Sequence, residues 1–361
     1  MSFSERETAS GTCSTVKLSS RRFAAVFSSG LAHLEDHGQT SHLHQAVPPL
    51  CGWPLIAPAR GDQSGLINIH FRKIHRSRFA PAFTITAGIL FGVLRACQSE
   101  ESFMAYPLLD LTNKTAVVIG GTSGIGLALV RGLAQAGANV VPTGRRQEHV
   151  RSAAAEVVAL GRRSLAQTCD VTDNASIERL LQSVCAEFGS VEILVNCAGR
   201  TKRMPTLDFP ESEWNAILET NLSGTLRACR IFGRHMIEKR YGRIINIASL
   251  SSFVALFEVA AYSASKAAVA SLTQSLAIEW AASGVCVNAI VPGVFRTDLN
   301  ATLLDGTGRG REFLMRTPMR RFGKLDELAG AAVFLASDAA SFVTGHLLAV
   351  DGGFLASGVN Q

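Results

Sequence analysis

The sequence lacks the features that mark a disulfide framework, a metal site or a nucleic-acid surface. Charged residues make up only 18% of the 361 residues, and Lys plus Arg exceed Asp plus Glu by six. Half of that excess lies in residues 1–103, so the rest of the chain carries too little net charge to indicate nucleic-acid binding. None of the eight cysteines stands in a C-x-x-C pair. We therefore expect free thiols in a reducing compartment and no metal site.

Residues 1–103 also lack what the rest of the chain has. They contain six of the nine histidines, no sustained helical or strand period, and no methionine between Met1 and Met104. We expect a poorly ordered extension, or an upstream sequence wrongly joined to the reading frame, before a domain at 104–361. The uncharged, mostly apolar segment from Phe79 to Leu94 is shorter than the ~18–20 residues that span a membrane. A membrane anchor is the alternative, and no membrane association is expected.

From Thr115 onward, apolar runs alternate with amphipathic stretches. The runs predict seven strands, at 114–121, 139–144, 164–171, 191–199, 243–249, 284–293 and 345–353. The stretches between them predict helices, including one long helix over 213–240. The pattern predicts an α/β fold: a single Rossmann-type doubly wound parallel sheet of about seven strands, with helices on both faces. Right-handed crossovers would fix its topology.

Three glycines, Gly120, Gly124 and Gly126, lie between the first predicted strand and the first predicted helix. The first allows a tight turn, the second lets the backbone approach a pyrophosphate, and the third permits close helix packing. The N-terminus of the helix would attract the phosphates. A glycine turn alone is a weak signal, and a purely structural turn is the alternative. The NCAG sequence at 196–199 strengthens the interpretation of a dinucleotide site.

A hydroxyl, a phenol and an ammonium recur at a restrictive spacing. Ser249 ends a predicted buried strand, Tyr262 follows thirteen residues later, and Lys266 lies four residues beyond it on a predicted helix. Positions i and i+4 share one helix face. A lysine beside a tyrosine should favour the phenolate and lower a pKa that is otherwise about 10. The pair therefore suits proton exchange with an alcohol oxygen.

With the glycine pattern, this order resembles the short-chain dehydrogenase/reductase family, from about Leu111 to the C-terminus. One departure is Ile119, where the family usually has Thr. The resemblance implies a catalytic tetrad of Asn221, Ser249, Tyr262 and Lys266. It also implies cofactor contacts from Gly120, Ser123, Gly124, Ile125, Gly126, Asp170, Val171, Asn196, Ala198, Gly199, Tyr262, Lys266, Pro292, Gly293, Val294 and Thr297.

The choice of cofactor depends on the residues after the second predicted strand. Gly144 stands where NAD-dependent members of the family carry Asp, and Arg145 follows it. No carboxylate would repel a 2′-phosphate there, and the arginine could pair with one. We predict NADP as the cofactor, with NAD as the alternative if the arginines only begin a solvated helix.

Three cations, Arg200, Lys202 and Arg203, follow the fourth predicted strand. Ligands of this fold bind beyond the carboxyl ends of the strands, so this loop should flank the cleft and favour an anionic substrate. A solvated basic loop is the alternative. KRMP at 202–205 and the C-terminal third resemble gluconate 5-dehydrogenase-like members of the family. That resemblance implies a sugar acid such as gluconate or 5-ketogluconate, with Arg203 as the carboxylate partner.

The predicted function is hydride transfer between a nicotinamide and a secondary alcohol or ketone. Two alternatives are a 3-ketoacyl thioester reductase and a non-catalytic dinucleotide-binding protein, because a fold alone does not imply catalysis. The partner is a small-molecule substrate. The resemblance also implies a homotetramer, and the cysteine pattern a cytoplasmic location.

Overall fold

A computed structural model describes residues 106–297 and 300–359, together with the backbone of three strands nearer the N-terminus. Those strands are β1 (Glu5–Thr8), β2 (Gly11–Ser19) and β3 (Leu66–His70), and they pair antiparallel in the order β1-β2-β3. The chain divides into two units, Met1–Phe103 and Met104–Gln361. These strands lie within the segment predicted to be poorly ordered, and the apolar segment at 79–94 falls outside the described residues.

One parallel sheet of six strands forms the centre of the second unit. Its strands are β4 (Thr115–Ile119), β5 (Asn139–Thr143), β6 (Ile193–Asn196), β7 (Gly242–Ile247), β8 (Val285–Pro292) and β9 (Leu347–Val350). They lie in the order β5-β4-β6-β7-β8-β9. Every residue of β4, β7 and β8 is buried, as expected for strands covered on both faces. The doubly wound α/β prediction is confirmed.

Helices cover both faces of this sheet. They are α1 (Gly124–Gln135), α2 (Gln147–Ala159), α3 (Asn174–Phe188), α4 (Glu211–Leu218), α5 (Gly224–Lys239), α6 (Ala260–Trp280), α7 (Ala301–Leu304), α8 (Gly308–Arg316) and α9 (Asp326–Ala336). One apolar core packs α1 and α9 against the sheet, and a second packs α3, α5 and α6. No helix among the described residues is long and apolar enough to cross a membrane.

The predicted strand at 164–171 is wrong, and the sheet therefore has six strands rather than about seven. This segment runs beside β5, where Val140 donates its N–H to the Arg163 carbonyl at 3.2 Å and Cys169 donates to the Gly144 carbonyl at 3.0 Å. The next donor on that edge of β5 would be residue 142, which is a proline and has no N–H. The missing donor interrupts the ladder, so the segment follows the edge without forming a strand.

The strand order reverses between β4 and β6, because the chain leaves β4 toward β5 and returns to pair β6 on the other side of β4. A crevice at the carboxyl ends of the strands is the expected ligand site at such a switch point. The turns after the two strands meet there: a Cβ added to Gly120 would lie 2.6 Å from the Ala198 nitrogen.

Helices α1 and α9 pack together at a glycine, which gives a test of this packing. A Cβ at Gly132 would overlap the Cβ of Ala329, whereas a Cβ at Gly330 on α9 would meet no described atom within 4 Å. We expect Gly132→Ala to lower the free energy of unfolding by about 1–3 kcal/mol through overpacking. Gly330→Ala should raise it by up to about 1 kcal/mol through helix propensity. Urea denaturation measures both, and a stabilised Gly132→Ala variant would contradict the packing.

Candidate active site

The three glycines of the first turn differ in what surrounds them. Gly120 has a φ of 84°, and a Cβ on Gly126 would overlap the Gly120 carbonyl oxygen, so these two glycines permit close packing. Gly124 has a φ of 50° and begins α1. Among the described atoms, only the Thr297 methyl, at 3.7 Å, would lie within 4 Å of its added Cβ. Open space therefore lies before the N-terminus of α1, and it fits a phosphate group.

Ser123 and Ile125 flank Gly124 in different ways. Ser123 is the N-cap residue of α1, with extended backbone, and its carbonyl accepts the N–H of Leu127 at 3.2 Å. Ile125 packs its side chain against the core beneath α1 and α9. Ile125 is therefore partly buried against this core, whereas Ser123 stands at the rim of the turn.

Asp170 and Arg145 lie near each other at the far end of the crevice. The N–H and the hydroxyl of Thr172 donate to Asp170 at 3.0 and 2.8 Å. The backbone N–H contributes most to a lowered pKa of Asp170, and the charge of Arg145 lowers it further. Asp170 is therefore an ionised acceptor. Val171 packs against Gly224, where an added Cβ would lie 2.7 Å from a Val171 methyl.

Gly144 lies beside a hydroxyl that the sequence argument missed. A Cβ at Gly144 would be 3.3 Å from Thr122 Oγ1, so the glycine-rich turn and the end of β5 border the same space. Arg145 is exposed there. The position of Thr122 inside a glycine-rich turn could have indicated its role. Its contact with Gly144, however, depends on the register of β4 and β5.

The NCAG turn separates into a core residue and two cleft residues. Asn196 Nδ2 donates to Asn246 Oδ1 at 2.9 Å, and Asn246 Nδ2 donates to Thr273 Oγ1 at 2.9 Å. The Asn196 side chain therefore points into the core, and only its backbone remains for a cofactor. Ala198 faces Gly120, while Gly199 passes beside Asn221 and Lys266.

Asn221 lies in a π-helical turn, Glu219–Ser223, that joins α4 to α5. The single regular helix predicted over 213–240 is thus wrong at its centre. Asn221 is fully buried, accepts the Arg200 N–H at 2.8 Å, and donates to the Arg200 carbonyl and to Ser265 Oγ, both at 3.0 Å. π turns are frequent at functional sites. Here the wider turn coincides with an amide that ties the loop after β6 to α6.

Lys266 is buried with its ammonium directed at the end of β7. Its Nζ donates to the Ile247 carbonyl at 2.6 Å, and its side chain is shielded from solvent. Burial lowers the pKa of Lys266 to about 8. Gly199 lies close by, where an added Cβ would be 3.7 Å from Nζ and 3.5 Å from Asn221 Oδ1. The ammonium therefore lies between the ends of β6 and β7.

Tyr262 and Ser249 form the other half of this group. Burial raises the pKa of Tyr262, and its hydrogen bond with Ser249 acts in the opposite direction. The expectation that Lys266 would bring this pKa below its ordinary value is wrong for this arrangement. The ammonium bonds the Ile247 carbonyl and lies 5.8 Å from the centre of the Tyr262 ring, and desolvation is the largest cause of the raised pKa. Ser249 also accepts the Ser251 N–H at 3.2 Å.

The segment after β8 lies across the crevice from the glycine turn. Pro292 ends β8, and the Gly293 N–H donates to the Val350 carbonyl at 2.8 Å. The Val294 carbonyl accepts the Gly323 N–H at 2.9 Å. The Thr297 N–H donates to Asn300 at 2.7 Å, while its methyl faces Gly124. Hydrogen bonds to Val350, Gly323 and Asn300 therefore hold the backbone of this segment. Its Thr297 side chain lies beside the glycine turn.

The three cations of the loop after β6 have different partners. Arg200 and Lys202 both face Glu213, at 2.7 and 3.9 Å. Arg203 Nε instead pairs with Glu258 at 2.7 Å. Only Arg203 is thus directed at the segment that leads into Tyr262. Within the described ranges, no three His, Cys, Asp or Glu side chains form a group that could hold a metal ion.

Known proteins are similar to this chain in sequence and in fold over most of their length. A family model described as Enoyl-(Acyl carrier protein) reductase matches residues 120–355. A 2-dehydro-3-deoxy-D-gluconate 5-dehydrogenase of Bacillus subtilis is 42% identical over 248 residues, 68% of this chain and 96% of that protein. A D-threitol dehydrogenase of Mycolicibacterium smegmatis is 40% identical over 244 residues, 68% of this chain and 94% of that protein.

A solved structure gives the same result. The crystal structure of a gluconate 5-dehydrogenase from Burkholderia cenocepacia, in complex with NADP and tartrate, matches with a TM-score of 0.67 at 38% identity. The match covers 70% of this chain and 98% of that one. Ser249, Tyr262, Lys266 and Asn221 meet at the carboxyl ends of β6 and β7, beside a glycine turn that leaves room for phosphates. The chain belongs to the short-chain dehydrogenase/reductase family.

Proposed function

We propose that the protein is an NADP-dependent oxidoreductase that interconverts a sugar acid, such as gluconate, and its keto form at a secondary hydroxyl. One observation carries the proposal: the buried ammonium of Lys266 lies between Asn221, the Ile247 carbonyl and the face of Tyr262. A buried lysine with a lowered pKa beside a buried phenol is typical of a proton-transfer site.

Each residue of the tetrad has a distinct role in the proposal. NADP, when bound, accepts or supplies the hydride. Tyr262 exchanges the hydroxyl proton, and Ser249, hydrogen-bonded to it, orients the substrate oxygen and stabilises developing charge. Lys266 contributes a positive charge and two further N–H donors for ribose hydroxyls. Asn221 holds the Arg200 backbone and Ser265, and so supports the relay.

The sugar-acid assignment is supported by the relatives and by one ion pair. Relatives named for gluconate and for 2-dehydro-3-deoxy-D-gluconate are 37% and 42% identical to this chain. Arg203, directed at the segment before Tyr262, is the proposed carboxylate partner. The D-threitol dehydrogenase relative makes a neutral polyol the second candidate. Turnover of gluconate with NADP+, compared with glucitol and an acetoacetyl thioester, tests the assignment.

We also propose a cytoplasmic homotetramer in which residues 104–361 form the whole catalytic domain. The free state of the five described cysteines, Cys169, Cys185, Cys197, Cys229 and Cys286, supports the location. Ile278, 83% exposed on α6, the helix that carries Tyr262, would lie at the proposed interface. A chain that begins at Met104 should fold and retain its kcat/KM. Loss of folding in that chain would show that residues 1–103 contribute.

Removing the Tyr262 hydroxyl tests the proton-transfer assignment. Tyr262→Phe should lower kcat by at least about 100-fold, the usual contribution of a general acid or base, while NADPH binding stays within about twofold. Steady-state kinetics and NADPH fluorescence titration measure the two effects. Ser263→Ala, at the neighbouring helical position, is the matched control and should retain kcat. A Tyr262→Phe enzyme with near-normal kcat would refute the assignment.

Introducing an acid after β5 tests the cofactor assignment. Gly144→Asp with Arg145→Ala should lower the ratio of kcat/KM for NADP over NAD by about 10–100-fold, because the carboxylate repels a 2′-phosphate that the arginine no longer pairs. Arg151→Ala, an exposed arginine on α2, is the control. An unchanged ratio in the double variant would remove the role given to both positions.

A further inference from the structure

Two arginines from distant parts of the chain contact one turn, Phe257 and Glu258, at the entrance to α6. Arg203, in the loop after β6, pairs through Nε with Glu258 at 2.7 Å. Arg309, on α8, donates from Nη1 to the Phe257 carbonyl at 3.3 Å. The charge of Arg203 lowers the pKa of Arg309, and the charge of Glu258 raises it. Three separate segments thus meet at one turn, where Arg203 pairs with the Glu258 carboxylate and Arg309 binds the carbonyl of the preceding residue.

This cluster adjoins the tetrad on two sides. Glu258 lies four residues before Tyr262, and its carbonyl accepts the Met204 N–H at 2.9 Å. Arg203 follows Gly199 by four residues, and Gly199 passes beside Lys266. The two loops that carry the cluster are therefore the same loops that lead into the proposed reaction site.

The backbone at Glu258 is strained. Its φ is 63°, in the left-handed region that a residue with a Cβ seldom adopts. Such strain persists where surrounding contacts enforce it, and it concentrates at functional sites. Here the Met204 N–H holds the Glu258 carbonyl while Arg203 holds its carboxylate, with the side chain only 21% exposed. The strained turn fixes the carboxylate against the Arg203 guanidinium, beside the carbonyl that Arg309 binds.

The charges of the cluster do not balance. Arg203 pairs with Glu258, and the nearby Glu312 on α8 pairs with Arg316 at 3.3 Å, whereas the described bond of Arg309 goes to a neutral carbonyl. The Arg309 guanidinium lies 5.4 Å from the centre of the Phe313 ring, which orients it. Partial burial, followed by the charge of Arg203, lowers the pKa of Arg309, while the charges of Glu258 and Glu312 act in the opposite direction. The carboxylate of a ligand would relieve the repulsion between Arg203 and Arg309 and could accept two parallel N–H bonds from Arg309.

We propose that Arg309 is a specificity residue that, together with Arg203, receives the carboxylate of the substrate and selects sugar acids over neutral polyols. The proposal rests on the sugar-acid function proposed above. Glu258 is the positioning residue, because it pairs with Arg203 and holds it away from Glu213, the partner of Arg200 and Lys202. Helix α8, which follows β8 and the Thr297 segment, would thereby form the wall of the substrate site opposite the NCAG turn.

A structural role for Arg309 predicts a different outcome. If Arg309 only fastened α8 to the Phe257 loop, its loss would weaken acids and polyols alike and lower the thermal stability. Arg311→Gln is a matched control on the same helix, since Arg311 also donates to a backbone carbonyl, that of Gly306 at 3.2 Å. Arg309→Lys keeps the charge without the planar fork and should show an intermediate effect.

The test measures gluconate binding to the full chain in its complex with NADPH, which cannot oxidise gluconate further. Calorimetry should give a Kd for gluconate that rises about 10–100-fold in Arg309→Gln, about threefold to tenfold in Arg309→Lys, and less than twofold in Arg311→Gln. With NADP+, Arg309→Gln should raise the KM for gluconate similarly while kcat stays within about threefold. The KM for glucitol, which has a hydroxymethyl group in place of the carboxylate, should stay within twofold.

The outcomes separate the two proposals. A gluconate Kd within twofold of the wild type in Arg309→Gln, or equal losses for gluconate and glucitol, would overturn the role of Arg309 and leave the sugar-acid function intact. If the wild-type protein binds gluconate with NADPH but does not oxidise it with NADP+, the function proposed above fails. The rise of Kd in Arg309→Gln would still support the carboxylate receptor in that case.

Discussion

The buried ammonium of Lys266 is the constraint around which the site is built. Transferring a cation out of water is unfavourable unless hydrogen bonds and nearby charges compensate. One of its three donors goes to the Ile247 carbonyl at the end of β7, and the Asn221 amide and Tyr262 ring border it. Its lowered pKa shows that burial still disfavours the charged form of the lysine. The proposed role of Lys266, binding ribose hydroxyls beside a phenol that exchanges a proton, accounts for this penalty.

The sheet fixes where that ammonium lies. Both the glycine turn and the NCAG turn follow strands at the switch point, so the phosphate end and the tetrad occupy one crevice. A buried chain of hydrogen bonds, Asn196 to Asn246 to Thr273, links β6 and β7 to α6. This network holds α6 in register with the ends of β6 and β7, and it therefore positions Tyr262 and Lys266. Polar groups in the core thus contribute to the precision of the site.

The sequence predicted the parts of this arrangement that depend on local pattern. Apolar runs, glycine spacing and the order of Ser249, Tyr262 and Lys266 were sufficient for the fold class and for the residues that meet. Errors arose where a distant partner decides the outcome. The strand at 164–171 failed because Pro142, on the neighbouring strand, lacks a donor, and the π turn at Asn221 follows from bonds to Arg200 and Ser265. Helical spacing likewise could not give the direction of the Tyr262 pKa, which burial controls.

The claim that Lys266 serves chemistry at the expense of stability is tested most directly by Lys266→Met, which keeps the length of the side chain and removes its charge. The lysine pKa is about 8 when folded and 10.5 when unfolded, so the wild type loses stability as the pH falls from 10.5 to 8. The free energy of unfolding, measured by urea denaturation without cofactor, should therefore be about 1–3 kcal/mol higher for Lys266→Met at pH 7. This difference should shrink as the pH rises above 8, and turnover should be lost. A variant that loses several kcal/mol at pH 7, or one that retains kcat, would contradict the account.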